Sequence, residues 1–110
     1  MASTDMPPAL LGRVADRFRA LAEPARLQLL QALRRGELTV TELVDATGLS
    51  QANVSKHLQL LHAMSFVVRR KEGLYVFYSL ADDDTVRLCE IMCGRIEAEV
   101  RAQSRLLVRR

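Results

Sequence analysis

The feature that most constrains the fold is the stretch from Val40 to Leu61, which predicts two short helices joined by a tight turn. Thr39 and Glu42 have the spacing of a capping box, in which a hydroxyl and a carboxylate satisfy free amides at a helix start. Gly48 suits the left-handed residue that ends such a helix, and Ser50 suits the N-cap of the next. The pattern is typical of a helix-turn-helix.

The second helix of this pair has one apolar face and one polar face. Val54, Leu58 and Leu61 recur at steps of four and three residues, which predicts a buried stripe. Small, hydrogen-bonding side chains near a helix N-terminus fit the major groove of double-stranded DNA. We therefore predict that DNA is contacted by Ser50, Gln51, Ala52, Asn53, Ser55, Lys56, His57 and Gln59. The alternative, a helical hairpin packed wholly in a core, would not require this polar face.

After these helices the sequence changes to a strand pattern. Residues 66–70 and 75–80 are rich in β-branched and aromatic side chains, and Gly73 lies between them, which predicts a two-stranded β-hairpin. Arg69, Arg70 and Lys71 make its first strand basic. A basic hairpin directly after a helix-turn-helix is typical of a wing that meets phosphates or the minor groove. A solvated surface hairpin is the alternative interpretation.

Three further helices are predicted, one of them from Pro24 to about Arg35, with Leu27, Leu30 and Leu33 buried. The first helix begins at Ala9, and the last runs from about Asp83 to beyond Val100. Their apolar residues recur at steps of three and four, as in a heptad seam: Leu11, Val14 and Phe18 in the first, and Val86, Cys89, Cys93, Ile96 and Val100 in the last. We expect these two terminal helices to form a homodimer interface. We call the second helix of the helix-turn-helix the reading helix. A twofold dimer would place its two copies about one DNA turn apart, over a palindromic DNA sequence.

The length of 110 residues predicts a single domain, with residues 1–8 as a disordered tail and residues 9–110 as the folded unit. A net charge of +3 permits a nucleic-acid partner without requiring one. Neither a signal peptide nor a membrane-spanning stretch is evident, so we expect a cytoplasmic protein without a membrane partner. Two cysteines in such a chain are expected to be reduced thiols.

With these features identified, the chain resembles the ArsR/SmtB family of bacterial winged-helix repressors. Three segments carry the resemblance: LAEPARLQLLQAL at 21–33, TELVDATGLSQANVSKHLQLLHAMSFV at 41–67 and RRKEGLYVFYSL at 69–80. The resemblance implies a mainly α winged helix-turn-helix of order α-α-α-α-β-β-α. It also implies a homodimeric repressor that is released from operator DNA by an inducer, often a thiophilic or transition metal. Leu74 stands where many members have a basic residue after the wing-tip glycine.

Two metal sites of the family are not supported by this sequence. The stretch Glu37–Leu43 matches the arsenic-type motif, but Thr39 and Thr41 replace its two cysteines, and hydroxyls are poor ligands for soft metals. The zinc-type site uses Asp and His from the last helix, whereas His57 and His62 lie in or near the reading helix.

The remaining candidates for sensing are Cys89 and Cys93, four residues apart on one helix face. Their thiols could bind arsenite, cadmium or zinc, and two such pairs across a twofold axis would supply four sulfurs. They could instead form a redox switch, or act only as small hydrophobic residues in the seam. A regulator without any ligand and a winged-helix protein-interaction module are further alternatives. An enzyme is not expected, because no basic partner for a thiol nucleophile is evident.

Overall fold

The structure is a computed structural model, and it describes residues 5–108. The chain forms helices α1 (Pro8–Leu21) and α2 (Pro24–Ala32), a 3-10 turn (Leu33–Arg35), strand β1 (Leu38–Thr39), helices α3 (Val40–Thr47) and α4 (Gln51–Ala63), strands β2 (Val67–Glu72) and β3 (Tyr75–Leu80), and helix α5 (Asp84–Val108). Helix α1 begins at Pro8, one residue before the predicted start at Ala9. Residues 1–4 of the predicted tail lie outside the described residues.

The helix-turn-helix is built by the caps that the sequence predicts. Thr39 Oγ1 accepts the amide of Glu42 at 3.2 Å, and the Glu42 carboxylate accepts the amide of Thr39 at 2.9 Å. Gly48 ends α3 with a φ of 75°, where a side chain would be strained. Ser50 then starts α4, with its hydroxyl accepting the amide of Asn53 at 3.2 Å. These caps confirm the prediction and fix where the turn lies between the two helices.

The core lies where α2, α3 and α4 meet the sheet. The predicted stripe of α4 is confirmed, since Val54, Leu58 and Leu61 are each 0% exposed. On α2 the prediction is wrong at Leu27, which is 38% exposed, while Leu29 is fully buried in its place. The core-facing stripe of α2 therefore begins two residues later than predicted, and Leu27 is left on the side facing α5.

The sheet has three strands, so the predicted two-stranded hairpin is incomplete. The two-residue strand β1 pairs antiparallel with β3, which places β3 in the centre of the order β1-β3-β2. Its pairs are Leu38 with Tyr78 and Thr39 with Phe77. A strand of two residues is too short to show an alternating pattern, and its second residue also caps α3. The third strand ties the hairpin to the start of the helix-turn-helix.

The C-terminus of α4 ends in a left-handed residue that the sequence pattern does not predict. Ser65 has a φ of 65°, in the left-handed region usually taken by glycine. Its amide donates to the carbonyl of His62 at 3.1 Å, and the amide of Phe66 donates to the carbonyl of Leu61 at 2.9 Å. This pair of bonds is the Schellman arrangement, which ends the helix and turns the chain sharply into β2.

Helix α5 is the longest element, with 25 residues. The Asp82 carboxylate accepts the amide of Asp84 at 3.0 Å, which satisfies one amide at the start of this helix. From Leu88 to Val100 the large apolar side chains of α5 remain at least 48% exposed. Across residues 5–108, no helix combines the length and apolar character needed to cross a membrane.

Candidate nucleic-acid interface and cysteine pair

Helix α4 presents a polar face beside its buried stripe. Gln51, Ala52, Asn53, Lys56 and Gln59 are exposed, Ser50 is exposed at the N-cap, and Ser55 is half-buried. The exposed face of α4 therefore offers neutral hydrogen-bonding groups and one cation to an approaching surface. Such groups match the donors and acceptors of base edges in the major groove.

His57 is the exception, and its placement on the DNA-facing flank is wrong. The side chain is 5% exposed and points toward Glu23 and Arg26, at the junction of α1 and α2. The physical reason lies in the spacing, because 54, 57, 58 and 61 form one continuous helical stripe. A histidine can occupy that stripe because both of its ring nitrogens have polar neighbours here.

The three cations of β2 do not form one surface. Successive side chains of a strand point to opposite faces, so Arg69 and Lys71 share one face and Arg70 lies on the other. Arg69 and Lys71 are exposed, and within residues 5–108 neither makes a side-chain hydrogen bond or ion pair. These two cations are therefore available to an anionic partner such as a phosphate.

Arg70 is instead held by its own domain. Its Nε donates to a Glu37 carboxylate oxygen at 2.9 Å, and its Nη1 donates to a Glu72 carboxylate oxygen at 2.5 Å. The guanidinium lies 4.7 Å from the centre of the Phe77 ring. The hydrogen bond from Arg70, and then its charge, lower the pKa of Glu37 below its ordinary value. The same bonds raise the pKa of Arg70. This geometry does not support the predicted DNA contact of Arg70, because two carboxylates already occupy its donors.

The terminal helices carry an apolar surface that the protomer leaves uncovered. Leu11, Phe18, Ile96 and Val100 are 48–54% exposed, as residues of a predicted dimer seam should be in a single protomer. Val86 and Cys89 are half-buried and face α2 of their own protomer, so they belong only in part to that seam. The exposed line of α5 also includes Leu88, Ile91 and Met92, which the heptad pattern did not select.

Cys89 and Cys93 are free thiols that line the same groove between α2 and α5. The groove has a volume of about 250 Å³, with Leu27, Leu30 and Val86 among its apolar lining. Cys89 is half-buried and Cys93 exposed. The prediction that both thiols occupy one face of the helix is thus confirmed by their shared groove.

Glu97 is a neighbour of this pair that the sequence analysis missed. The thiol of Cys93 donates to a Glu97 carboxylate oxygen at 3.2 Å, one helical turn further along. This hydrogen bond, and then the carboxylate charge, raise the pKa of Cys93. Within residues 5–108, no three His, Cys, Asp or Glu side chains come together as a metal-binding group. One protomer therefore offers a dithiol rather than a complete metal site.

Comparison with known proteins now decides the family. Residues 23–68, which include α2 to α4, match the family model described as bacterial regulatory protein, arsR family. A biofilm growth-associated repressor of Agrobacterium fabrum is 38% identical over 79 residues, which are 72% of this chain and 68% of that protein. The chain belongs to the arsR family. This confirms the resemblance found in the sequence and identifies a family of regulatory proteins rather than enzymes.

Other arsR-family relatives extend the comparison. A probable mercury resistance operon repressor of Streptomyces lividans is 42% identical over 82 residues, which are 74% of this chain and 66% of that protein. The chain spans 58–66% of the length of three such relatives. Among solved structures, a homodimeric winged helix-turn-helix DNA-binding domain from Mycobacterium bovis, described as a possible ArsR-family regulator, has a TM-score of 0.76 and 35% identity. The match covers 91% of this chain and 94% of that one, and it confirms the winged helix-turn-helix fold.

Proposed function

We propose that this arsR-family protein is a sequence-specific DNA-binding repressor of transcription. The observation that carries the proposal is the exposed polar face at the start of α4, whose opposite stripe is anchored in the core. The available cations Arg69 and Lys71 follow on the adjoining hairpin, where a phosphate backbone would lie. The DNA-contacting set is then Ser50, Gln51, Ala52, Asn53, Ser55, Lys56, Gln59, Arg69 and Lys71. Binding to operator DNA would take place in the cytoplasm.

The active form in this proposal is a homodimer that joins through α1 and α5. Its support is the uncovered apolar line of α5 together with Leu11 and Phe18 of α1. The Mycobacterium bovis domain with the same fold is itself homodimeric. A twofold axis between these helices would present two copies of α4 to successive turns of a palindromic operator.

Salt dependence of binding tests the DNA contacts directly. A labelled duplex from the gene's own upstream region is titrated with protein by fluorescence anisotropy at several salt concentrations. Removal of one cation that binds a phosphate should reduce the slope of log affinity against log salt by about 1. We expect this reduction for Arg69→Ala and not for the matched variant Arg70→Ala, whose guanidinium is paired internally. Equal reductions for both variants would contradict the assignment.

The inducer in this proposal is a soft metal or metalloid, such as arsenite, cadmium or zinc, and its receptor is the pair Cys89 and Cys93. The support is their common groove, together with the soft-metal preference of thiols. One relative is named for mercury resistance. Because one protomer supplies two sulfurs, a four-sulfur set requires the pair of the second protomer. In that arrangement both pairs lie near the dimer axis, where a ligand would alter the spacing of the two α4 helices.

The same anisotropy titration tests the inducer. Reduced protein on the upstream duplex receives arsenite, cadmium, zinc or a mild oxidant at one salt concentration. Release by a soft ion that disappears in the variant Cys89→Ser with Cys93→Ser would support metal sensing. Release by oxidant alone would support the redox alternative, and binding unaffected by all four would favour a regulator without a thiol ligand.

A second candidate function is a winged-helix module that binds protein through its hairpin. The favouring observation is the hairpin tip, where Leu74 is 97% and Tyr75 65% exposed. Apolar side chains of this kind are more typical of protein contacts than of phosphate contacts. Upstream duplex binding that is weak and insensitive to salt would favour this candidate over the repressor, because phosphate contacts always release counterions.

A further inference from the structure

The buried histidine of α4 has polar contacts that the DNA-binding proposal does not use. His57 Nδ1 lies 3.4 Å from Nη1 of Arg26, and His57 Nε2 lies 3.6 Å from a Glu23 carboxylate oxygen. A guanidinium can only donate, so in a neutral imidazole Nδ1 is the acceptor of this contact and the ring proton lies on Nε2, facing the carboxylate. The ring is thus oriented by two groups from outside its own helix.

Arg26 extends this contact to the end of α1. Its Nε donates to the carbonyl of Ala20 at 2.5 Å, and its Nη2 donates to the carbonyl of Arg19 at 3.4 Å. Its Nη1 also lies 2.8 Å from a Glu23 carboxylate oxygen. The Arg26 side chain is only 13% exposed. One guanidinium therefore joins carbonyls at the α1 C-terminus, the corner between α1 and α2, and the reading helix α4.

The position of α1 depends on this end of the helix. Of its fourteen residues only Ala20 and Leu21 are buried, and both lie in the last turn. The remaining turns expose apolar side chains such as Leu11 and Phe18. The direction in which α1 leaves the domain is consequently set at the turn that Arg26 binds.

We infer that Arg26, acting through Glu23 and His57, is a positioning residue that fixes the reading helix α4 relative to the dimerisation helix α1. The inference rests on the proposed function, since it assigns α4 to DNA and α1 to the dimer. A change in the angle between α1 and α4 in each protomer moves both α4 helices relative to the twofold axis. The cluster would therefore set the spacing that an operator must match.

The first test measures this spacing without DNA. Gln59→Cys supplies an exposed attachment point on α4 for a nitroxide label, in a protein that also carries Cys89→Ser and Cys93→Ser. Pulsed electron paramagnetic resonance then gives the distance distribution between the two labels of the dimer. We expect Arg26→Lys to broaden or shift this distribution, because an ammonium cannot hold the carbonyls, the carboxylate and the imidazole together. An unchanged distribution, or no dimer signal in the protein that retains Arg26, would overturn the inference.

The second test measures discrimination between DNA sequences. The upstream duplex and a scrambled duplex of equal length and composition are titrated with wild-type protein and with Arg26→Lys. The ratio of the two affinities should fall about tenfold, the effect of losing one good base contact, while the salt slope on scrambled DNA stays the same. Arg34→Lys is the matched control, since Arg34 lies in the 3-10 turn that follows α2 and, within residues 5–108, makes only an exposed pair with Glu90. Where wild-type protein prefers the upstream duplex, an unchanged ratio in a folded Arg26→Lys variant would contradict positioning.

Two further measurements separate positioning from misfolding and from failure of the proposed repressor function. If Arg26→Lys does not fold by circular dichroism, Glu23→Gln replaces it, because Glu23 is half-exposed and its loss leaves the bonds from Arg26 to α1 intact. That variant should shift the label distances in the same direction by a smaller amount, and no shift would overturn the inference. If wild-type protein binds both duplexes equally while the label distances respond to Arg26→Lys, the proposed repressor function fails and the positioning role stands.

Discussion

Helices α4 and α5 are both amphipathic, yet the protomer treats their apolar faces in opposite ways. Val54, Leu58 and Leu61 of α4 are fully buried against the rest of the domain. The outer line of α5, from Leu88 to Val100, remains about half exposed. A stripe with the same period can thus serve the interior of a domain or an association between domains. We infer that the outer line of α5 packs against a second copy of the chain.

The polar faces of the two helices differ as well. On α5 the exposed side chains include ion pairs, such as Arg101 with Glu97 at 3.8 Å and Glu90 with Arg34 at 3.9 Å. On α4 the exposed face contains the neutral groups of Gln51, Asn53 and Gln59. Charge pairs suit a face that stays in water, whereas unpaired amides suit a face that will exchange water for another hydrogen-bonding surface.

The largest expected effect comes from truncating the buried stripe. Leu58→Ala should lower the free energy of unfolding by about 2–5 kcal/mol, because it removes a fully buried side chain and leaves a cavity. Leu88→Ala makes the same chemical change on α5, where the side chain is 48% exposed. At protein concentrations too low for dimerisation, Leu88→Ala should lower the free energy of unfolding far less than Leu58→Ala does. Urea unfolding of both variants measures this difference, and equal losses would contradict the contrast between the helices.

The next effect concerns association. Met92→Asp places a charge in the outer line of α5, where Met92 is 59% exposed in the protomer. Burial of such a side chain at a dimer interface contributes about 1.5–3 kcal/mol, so we expect the dimer dissociation constant to rise at least about tenfold. Sedimentation equilibrium measures it. Arg101→Asp, half a turn around the same helix from Met92, is the control. A dimer equally weakened by both variants would argue against this surface.

The sequence predicted the helix-turn-helix well because its determinants are local. A capping box, a terminal glycine and an N-cap serine each act over three or four residues, and all three occur as expected. Strand β1 was missed because its two residues become a strand only by pairing with β3, about forty positions later. Pairing of that kind leaves no periodic signal in the chain.

The errors in the candidate site have a common cause. The position of His57 in the second helix predicts a DNA contact, whereas its spacing from Val54 and Leu61 places it on the buried stripe. The position of Arg70 in the basic hairpin predicts a DNA contact, whereas its binding to Glu37 depends on a contact between distant segments. Polar residues can occupy buried or paired positions when the fold supplies partners, and sequence periodicity does not reveal those partners.

A smaller effect on stability is expected at Ser65, which ends α4 with a positive φ. Ser65→Gly should stabilise the protein by up to about 1 kcal/mol, because glycine adopts the positive φ of this position without strain. Ser55→Gly, inside the same helix, should destabilise it, because glycine disfavours helical backbone. Thermal unfolding of the two variants measures both changes in stability, the gain for Ser65→Gly and the loss for Ser55→Gly. Destabilisation by Ser65→Gly would contradict the left-handed conformation of that residue.

The smallest expected effect is on the reactivity of the Cys93 thiol on α5. Glu97 raises the pKa of Cys93 through its hydrogen bond and its charge, so at pH 7–8 it lowers the fraction of thiolate, the form that reacts. Glu97→Gln should therefore lower the pKa of Cys93 and increase its alkylation rate by iodoacetamide several-fold. The rate is followed against pH in protein carrying Cys89→Ser, with Glu99→Gln as the control. A midpoint that does not move to lower pH would show that Glu97 does not govern this thiol. A shift would show that an exposed position on α5 can still have its chemistry set by a neighbour on the same helix.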